Sequence, residues 1–207
     1  MDFLKLSLLF LGAYLLGSIP FALIIALPQG VNPQKEGSKN PGATNVARLL
    51  GKKWGILTFI GDSGKGILAL LGAFFLAPNL PFPKELIYAG TGFFAILGHL
   101  FSIFLKFKGG KGVATTIGVF LILTPKAILL SFLFFFLGVA LSGFVSVGSL
   151  LATALLPLFI YFFNYSEYYL YISIFLGLLI WFKHQENIKR LLRGEEKSWK
   201  KTLNREP

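Results

Sequence analysis

The chain has 207 residues, of which 55% are hydrophobic and 14% are charged, and its mean hydropathy is +0.70. A soluble domain carries about 25% charged residues, so this composition excludes an ordinary soluble protein and indicates an integral membrane protein. The net charge of +11 does not indicate nucleic-acid binding, because the basic residues lie in short segments between apolar runs rather than along one solvated face.

Seven apolar segments follow one another along the chain. A helix needs about 20 residues to cross about 30 Å of hydrocarbon, and fewer where the bilayer thins locally. The first segment is interpreted as a span rather than a signal peptide, because its apolar run is too long and lacks a convincing cleavage site. We therefore expect a single all-α membrane domain, residues 1–207, with about seven transmembrane helices, some of them short, near residues 3–27, 55–77, 85–106, 113–124, 127–142, 147–163 and 168–183.

Residues 113–142 allow three arrangements: one long helix, a re-entrant pair or two short spans. Thr124-Pro125-Lys126 favours a turn, because proline restricts the residue before it and breaks the helical hydrogen-bond ladder. We expect two short spans with a turn at this proline.

With seven spans, the loops that follow the first, third and fifth spans lie on the same face of the membrane as the C-terminal tail. Loops near 28–54, 107–112 and 143–146 share that face with the tail 184–207. The face collects seventeen of the twenty Lys and Arg residues when Lys65, Lys106 and Lys183 are counted at its boundary. The positive-inside rule predicts that this face is cytoplasmic and that the N-terminus lies outside the cell membrane. A five-span arrangement, with 113–142 as a membrane-embedded hairpin, leaves the same loops inside. We expect one shared site on this cytoplasmic face.

The sequence of the first loop predicts a short interfacial helix. Asn40 is a good N-cap, Pro41 suits the first helical position, and Gly51 suits the stop. Such a helix could simply rest on anionic lipid, with Arg48 facing the headgroups. The density of small polar residues favours specific binding of an anion near the helix start, for which the candidates are Ser38, Asn40, Thr44, Asn45 and Arg48.

The second loop reads Phe107-Lys108-Gly109-Gly110-Lys111-Gly112 and leads into an apolar segment. Glycines let several backbone N–H groups converge on one anion, and the two lysines add positive charge, so the loop is a candidate phosphate site. It is not a nucleotide loop, because the pattern G-x-x-x-x-G-K-[ST] is absent. The alternative is a glycine turn with lysines that reach the membrane surface.

The last span runs out into a third polar cluster, in which helical spacing places His184 beside Asn187. A lone histidine at a membrane edge is usually a packing residue, but the neighbouring asparagine favours a functional site. Ser146, at the start of the sixth span, could be a phosphate ligand or only a helix cap. Since His99 is the only other histidine and the chain lacks cysteine, we expect no metal ion and no other cofactor.

Three further ionisable groups are assigned structural roles. Asp62 and Lys65 lie three positions apart within the second span, where charged groups are usually functional or paired, and a structural ion pair is the favoured interpretation. Glu195 or Glu196 is expected to tie the tail to a basic loop.

These motifs closely resemble those of the bacterial glycerol-3-phosphate acyltransferases that use acyl phosphate. The resemblance is carried by Gly17-Ser18-Ile19-Pro20, by Gly37 through Val46 with Arg48, by Gly98-His99 with Phe107 through Thr115, and by His184, Asn187-Ile188, Arg190-Leu191, Gly194 and Glu196. Two departures are modest: Ser102 stands where the family often has proline, and Lys183 where it often has arginine. Lys183 in place of arginine would loosen any bidentate contact, because lysine lacks the planar fork of donors.

The resemblance implies transfer of a fatty acyl group from acyl phosphate to the sn-1 hydroxyl of glycerol 3-phosphate, which gives lysophosphatidic acid and phosphate. The partners implied are these two substrates and membrane lipid, with no nucleic acid and a monomeric enzyme in the inner membrane. A membrane transporter for an organic phosphate is the alternative, although the chain shows no inverted repeat.

The chemistry is assigned to two overlapping sets of residues. In the first, His184, Asn187 and Ser38 orient glycerol 3-phosphate, while Arg48 and Lys108 stabilise charge. The second set binds substrate phosphate and comprises Lys108, Gly109, Gly110, Lys111, Gly112, Asn40, Thr44, Asn45, Arg48 and Ser146.

The proton acceptor is a separate question. The H-x-x-x-x-D pair that many acyltransferases use as a general base is absent, because no acid follows either histidine at that spacing. We therefore expect the leaving phosphate to take the hydroxyl proton, with His184 as general base the rival mechanism.

Overall fold

The computed structural model describes residues 1–199, which form helices and connecting loops without a β-strand in that part of the chain. The chain divides into two compact units, Met1–Leu123 and Thr124–Pro207. The first unit contains α1 (Asp2–Ser18), α2 (Phe21–Ala26), α3 (Ala43–Leu50), α4 (Lys52–Leu76), α5 (Lys84–Leu100) and α6 (Val113–Leu123). The second contains α7 (Pro125–Ser142), α8 (Val145–Phe162), α9 (Glu167–Lys183) and α10 (Gln185–Leu192).

Five segments among the described residues are long and apolar enough to cross a membrane: Asp2–Gln29, Lys52–Asn79, Lys84–Leu105, Pro125–Ser142 and Val145–Phe162. Helix α6 is apolar but shorter, at 11 residues, and α9 has 17 residues. The prediction of an all-α protein with several membrane helices is confirmed. Residues 200–207 of the predicted cytoplasmic tail lie outside the described part of the chain.

Prolines set two of the helix boundaries. Helix α1 ends at Ser18 and α2 begins at Phe21, so the first span is broken at Ile19-Pro20. Helix α6 ends at Leu123, and Pro125 occupies the first position of α7, where its missing N–H costs nothing. The predicted turn within 113–142 is therefore confirmed, and a single long helix is excluded.

Close helix contacts in the first unit depend on glycine. A Cβ on Gly17 would overlap the Ala95 carbonyl, and a Cβ on Gly98 would overlap the Tyr14 carbonyl, so α1 and α5 approach backbone to backbone. Membrane helices commonly pack in this way, since small residues let dispersion contacts and polar contacts form at short range. The end of α1 and the loop after α5 are also joined by a hydrogen bond, in which the Ser102 hydroxyl donates to Ser18 O at 2.6 Å.

The interfacial helix begins later than its sequence pattern predicts. Helix α3 starts at Ala43, and its N-cap is Gly42, which is extended (φ −147°, ψ 165°) and makes no side-chain capping bond. The prediction that Asn40 caps a helix with Pro41 in its first position was wrong. Gly42 N donates to Asn40 O at 3.0 Å, and this three-residue turn around Pro41 keeps the proline outside the helix. The predicted stop is confirmed, because Gly51 follows α3 with φ +93°.

Candidate active site

The first loop is organised by a buried amide. Asn45 is 1% exposed; its Oδ1 accepts from Ser38 N at 2.8 Å, and its Nδ2 donates to Pro33 O at 3.0 Å and Glu36 O at 3.1 Å. Both amide hydrogens are thus used within the loop. Asn45, expected from the sequence to bind phosphate, is placed where it holds the backbone of Ser38.

The other candidates of this loop lie closer to its surface. Asn40 and Thr44 are half-buried, and so is Arg48, which lies in the last turn of α3, three residues beyond Asn45. Gln34 Nε2 lies 3.5 Å from Lys108 O, so the first loop meets the glycine loop. Within the first unit, the structure brings two of the predicted motifs together.

The glycine loop, residues 107–112, leads directly into the N-terminus of α6. Gly112 has φ +89°, a backbone conformation that L side chains rarely adopt, and Val113 is the first helical residue. Lys108 is exposed, whereas Lys111 is half-buried. A loop of small residues before a helix start offers backbone N–H groups and a favourable helix dipole to an anion.

A buried charged cluster lies against this loop. Asp62 Oδ1 is 2.9 Å from Lys65 Nζ and 3.4 Å from His99 Nδ1, and the three side chains are 2–7% exposed. Lys65 Nζ also donates to Ile19 O at 2.9 Å, at the break of the first span. The predicted pair of Asp62 and Lys65 is confirmed. The participation of His99 in this ion pair was missed, and its only signal was its place in the Gly98-His99 segment that carries the resemblance.

In the second unit, His184 lies at the junction of α9 and α10 and is 3% exposed. Its Nδ1 lies 2.8 Å from Ile180 O, and since a carbonyl oxygen only accepts, Nδ1 carries the proton. In the neutral ring, Nε2 is therefore the hydrogen-bond acceptor. This tautomer suits a histidine that accepts a hydrogen bond from a hydroxyl group.

Asn187 is joined to Ser146 through Glu196. One carboxylate oxygen of Glu196 accepts from Asn187 Nδ2 at 2.6 Å and from Ser146 Oγ at 2.9 Å. Arg190 Nε donates to the other oxygen at 2.7 Å. Of the two glutamates expected to tie the tail, Glu196 makes the tie, and the resulting network brings Ser146 and Asn187 together within the second unit.

The network sets the charge state of Glu196. Burial raises the pKa of this carboxyl, but the hydrogen bonds from Asn187, Arg190 and Ser146 outweigh burial and hold the pKa below its ordinary value of 4.5. The Glu196 side chain is 4% exposed. At neutral pH it is therefore a buried anion that fixes the Asn187 amide and the Ser146 hydroxyl.

Comparison of the chain with known proteins identifies the family to which it is similar. The model of the family described as glycerol-3-phosphate acyltransferase matches residues 7–194. The glycerol-3-phosphate acyltransferase of Desulfotalea psychrophila is 52% identical over 189 residues, which are 91% of this chain and 95% of the relative. That of Trichlorobacter lovleyi is 45% identical over the same shares of the two chains.

Two solved structures are similar to this one. The crystal structure of PlsY, an integral membrane glycerol 3-phosphate acyltransferase, in its glycerol 3-phosphate form is 38% identical, with a TM-score of 0.88, and the match covers 97% of this chain and all of that one. The lysophosphatidic acid form gives a TM-score of 0.81 at 39% identity over 94% of this chain and 95% of that one. The chain belongs to the glycerol-3-phosphate acyltransferase family.

Proposed function

We propose that this chain transfers a fatty acyl group from acyl phosphate to the sn-1 hydroxyl of glycerol 3-phosphate. The products are lysophosphatidic acid and inorganic phosphate, and the reaction belongs to phospholipid synthesis. Family membership over residues 7–194 supports this activity, and the similar structures carry the names of the acceptor substrate and of the product. These comparisons favour an acyltransferase over the phosphate transporter considered as an alternative.

The observation that carries the binding role is the path of the glycine loop into α6. Backbone N–H groups of Gly109 and Gly112, together with the start of α6, are suited to bind a phosphate dianion, whereas the Gly110 N–H donates to His99 O and holds the loop in shape. Lys111 is half-buried, so its charge acts in a medium of lower dielectric than that around the exposed Lys108. We assign phosphate binding to this loop, with Lys111 as the main cation and Lys108 as a peripheral one.

The first loop contributes a second group of residues. Arg48 is suited to stabilise phosphate charge through its planar fork of donors, with Asn40 and Thr44 as neighbouring polar groups. Asn45 supports them indirectly, since its three hydrogen bonds hold the backbone at Ser38. The Ser38 hydroxyl is assigned to the orientation of glycerol 3-phosphate.

In the second unit, His184 and Asn187 are assigned to the acceptor substrate. The Nδ1 proton of His184 is held by Ile180 O, which leaves Nε2 to accept a hydrogen bond from a glycerol hydroxyl. Glu196 fixes the Asn187 amide in one orientation, and Ser146 shares the same carboxylate oxygen. Such fixed partners reduce the entropy lost when the reacting groups are aligned.

The chemical step needs little from the protein, because acyl phosphate is a mixed anhydride with a good leaving group. The sn-1 oxygen attacks the acyl carbon, the bond from that carbon to the phosphate oxygen breaks, and the phosphate departs with the electron pair. In the proposed mechanism the departing phosphate takes the hydroxyl proton, while the cations and backbone amides stabilise its charge. No acyl-enzyme forms, and trapping a covalent acyl-serine would contradict this step.

The acyl chain is proposed to remain in the bilayer during the reaction. At about 0.8 kcal/mol per CH₂, drawing a sixteen-carbon chain into water would cost on the order of 10 kcal/mol. We propose a monomer with about seven spans, in which the two shorter apolar helices α6 and α9 also cross, the N-terminus lies outside, and the polar loops face the cytoplasm. The distribution of Lys and Arg supports this orientation.

The assay that tests the activity uses purified protein in detergent or lipidic phase with glycerol 3-phosphate. One reaction contains palmitoyl phosphate and the other contains palmitoyl-CoA. We expect lysophosphatidic acid only from the acyl phosphate. Product from the CoA thioester alone, or from neither donor, would overturn the assignment.

The His184→Ala variant separates the two proposed proton acceptors. If His184 only orients the acceptor, its loss lowers the rate about tenfold and leaves the pH profile unchanged in shape. If His184 is the base, the rate of the wild type follows a single pKa that disappears in the variant.

A further inference from the structure

The buried cluster of Asp62, Lys65 and His99 makes contact with the glycine loop through His99. Gly110 N donates to His99 O at 3.0 Å, and a Cβ on Gly110 would overlap Nε2 of the His99 ring. A Cβ on Gly109 would likewise overlap the His99 carbonyl. The loop backbone therefore lies directly on the histidine, with no room for a side chain.

Asp62 sets the orientation of that histidine. Its Oδ1 is the common partner of His99 Nδ1 and Lys65 Nζ, and the Lys65 ammonium in turn donates to Ile19 O. A carboxylate facing Nδ1 favours the proton on that nitrogen, which directs Nε2 toward Gly110. The surroundings are closed, since Asp62 is 3% and His99 7% exposed, so the ring has little freedom to rotate.

We propose that Asp62 is a positioning residue for the phosphate site, acting through His99 on the backbone of Gly110. The inference rests on the proposed phosphate role of the glycine loop and adds a chain of three groups that holds the loop in its binding shape. Asp62 itself touches no substrate. Its effect reaches the substrate because displacement of binding groups by about 1 Å can lower a rate by about 100-fold.

The first test is a cycle of Gly110→Ala and His99→Asn, with the KM for glycerol 3-phosphate, the KM for palmitoyl phosphate and kcat measured for each protein. Asparagine keeps a donor near the position of Nδ1 for Asp62 but removes the ring atoms that lie against Gly110. We expect Gly110→Ala to raise at least one KM about tenfold in the wild type and less than about threefold in the His99→Asn background. Equal effects in the two backgrounds would overturn the contact between His99 and the loop.

The second test is Asp62→Asn, compared with Thr58→Val as a matched control. Thr58 is fully buried on the same helix, and its hydroxyl donates to Trp54 O within that helix. We expect Asp62→Asn to raise the same KM about 5- to 20-fold with kcat changed less than about threefold, and Thr58→Val to change neither. A purely structural role of Asp62 would lower the amount of folded enzyme and leave KM unchanged, which overturns the proposal.

Lys111→Ala distinguishes failure of this inference from failure of the proposed loop function. If Lys111→Ala and Gly110→Ala both leave each KM unchanged, the loop does not bind phosphate and the positioning role is overturned with it. If they raise a KM while folded Asp62→Asn does not, only the positioning role of Asp62 is overturned. Should Asp62→Asn fail to fold, the cycle with His99→Asn decides the contact through which Asp62 is proposed to act, and equal effects of Gly110→Ala in the two backgrounds overturn the positioning role with it.

Discussion

Asn187 donates through Nδ2 to Oε1 of Glu196 at 2.6 Å, and this bond links α10 to the tail that follows it. The same carboxylate oxygen accepts from Ser146 Oγ, at the start of α8, and Arg190 Nε donates to the second oxygen. One buried anion therefore fixes an amide and a hydroxyl that are both assigned to substrate. In the proposed mechanism, Glu196 therefore supports the reaction without contacting the reacting atoms.

Glu196→Gln should lower both stability and activity. Glutamine is neutral, and its amide group places donors opposite either Asn187 and Ser146 or Arg190, so at least one buried hydrogen bond is lost. We expect a loss of about 2–4 kcal/mol of unfolding free energy and a fall in kcat, measured by thermal unfolding in detergent and by the acyl phosphate assay. Glu195→Gln is the control, since Glu195 is exposed, and it should resemble the wild type.

The contribution of Glu196 to the stability of the folded protein should disappear at acidic pH. Its pKa is held below 4.5 in the folded protein, so the stabilisation is present above 4.5 and is lost as the pH falls through the lower folded-state pKa. The difference in melting temperature between wild type and Glu196→Gln should therefore be constant from about pH 7 to pH 5 and shrink below about pH 4.5. A difference that grows as the pH falls would contradict the assignment.

Much of the helical architecture was predictable, because the bilayer imposes long apolar helices on any chain that crosses it. Local chemistry also predicted the turn at Pro125 and the stop at Gly51, whereas the break at Pro20 within the first span was not predicted. The start of α3 was not predictable in the same way. Asn40-Pro41 has the pattern of a cap and first turn, and only the hydrogen bond from Gly42 N to Asn40 O shows that a tighter turn forms instead.

The site was predictable as a set of motifs but not as a network. Glu196 binds Ser146, Asn187 and Arg190, which lie 50, 9 and 6 positions away, and no periodicity relates these distances. The contact of His99 with Asp62 likewise joins two separate helices. Residue type alone also missed a structural role of Asn45, since the amide of this predicted ligand makes three hydrogen bonds that fold the loop.

Lys111 should matter more to phosphate binding than Lys108. Lys111 is half-buried and Lys108 is exposed, so solvent and salt screen the second charge more strongly. We expect Lys111→Ala to lower kcat/KM by at least about 30-fold and Lys108→Ala by less than about tenfold, a difference of at least about 0.6 kcal/mol in transition-state stabilisation. Equal losses in the steady-state assay would contradict the assignment of Lys111 as the main cation.

Gly118→Ala should destabilise the packing of α6 against α4. A Cβ at this position would overlap the Ser63 carbonyl, and α4 also presents Gly66 to the backbone of Thr115. Because backbone atoms cannot move aside as a side chain can, we expect a cost of about 1–3 kcal/mol in thermal unfolding. Gly72→Ala is the control on α4: its Cβ would meet no atom within 4 Å, and the helix should gain about 0.5–1 kcal/mol.

The proposed orientation and number of spans can be tested with single cysteines, since the chain contains none of its own. Lys35→Cys and Arg193→Cys mark the proposed cytoplasmic face, and Lys84→Cys and Lys126→Cys mark the outside; all four residues are exposed. We expect a membrane-impermeant maleimide to label the last two in intact spheroplasts and the first two only after permeabilisation. Lys126→Cys decides the span count, because a membrane-embedded hairpin over 113–142 would leave it unlabelled from outside. Labelling of Lys35→Cys in intact spheroplasts would instead reverse the orientation and place the glycine loop outside the cell.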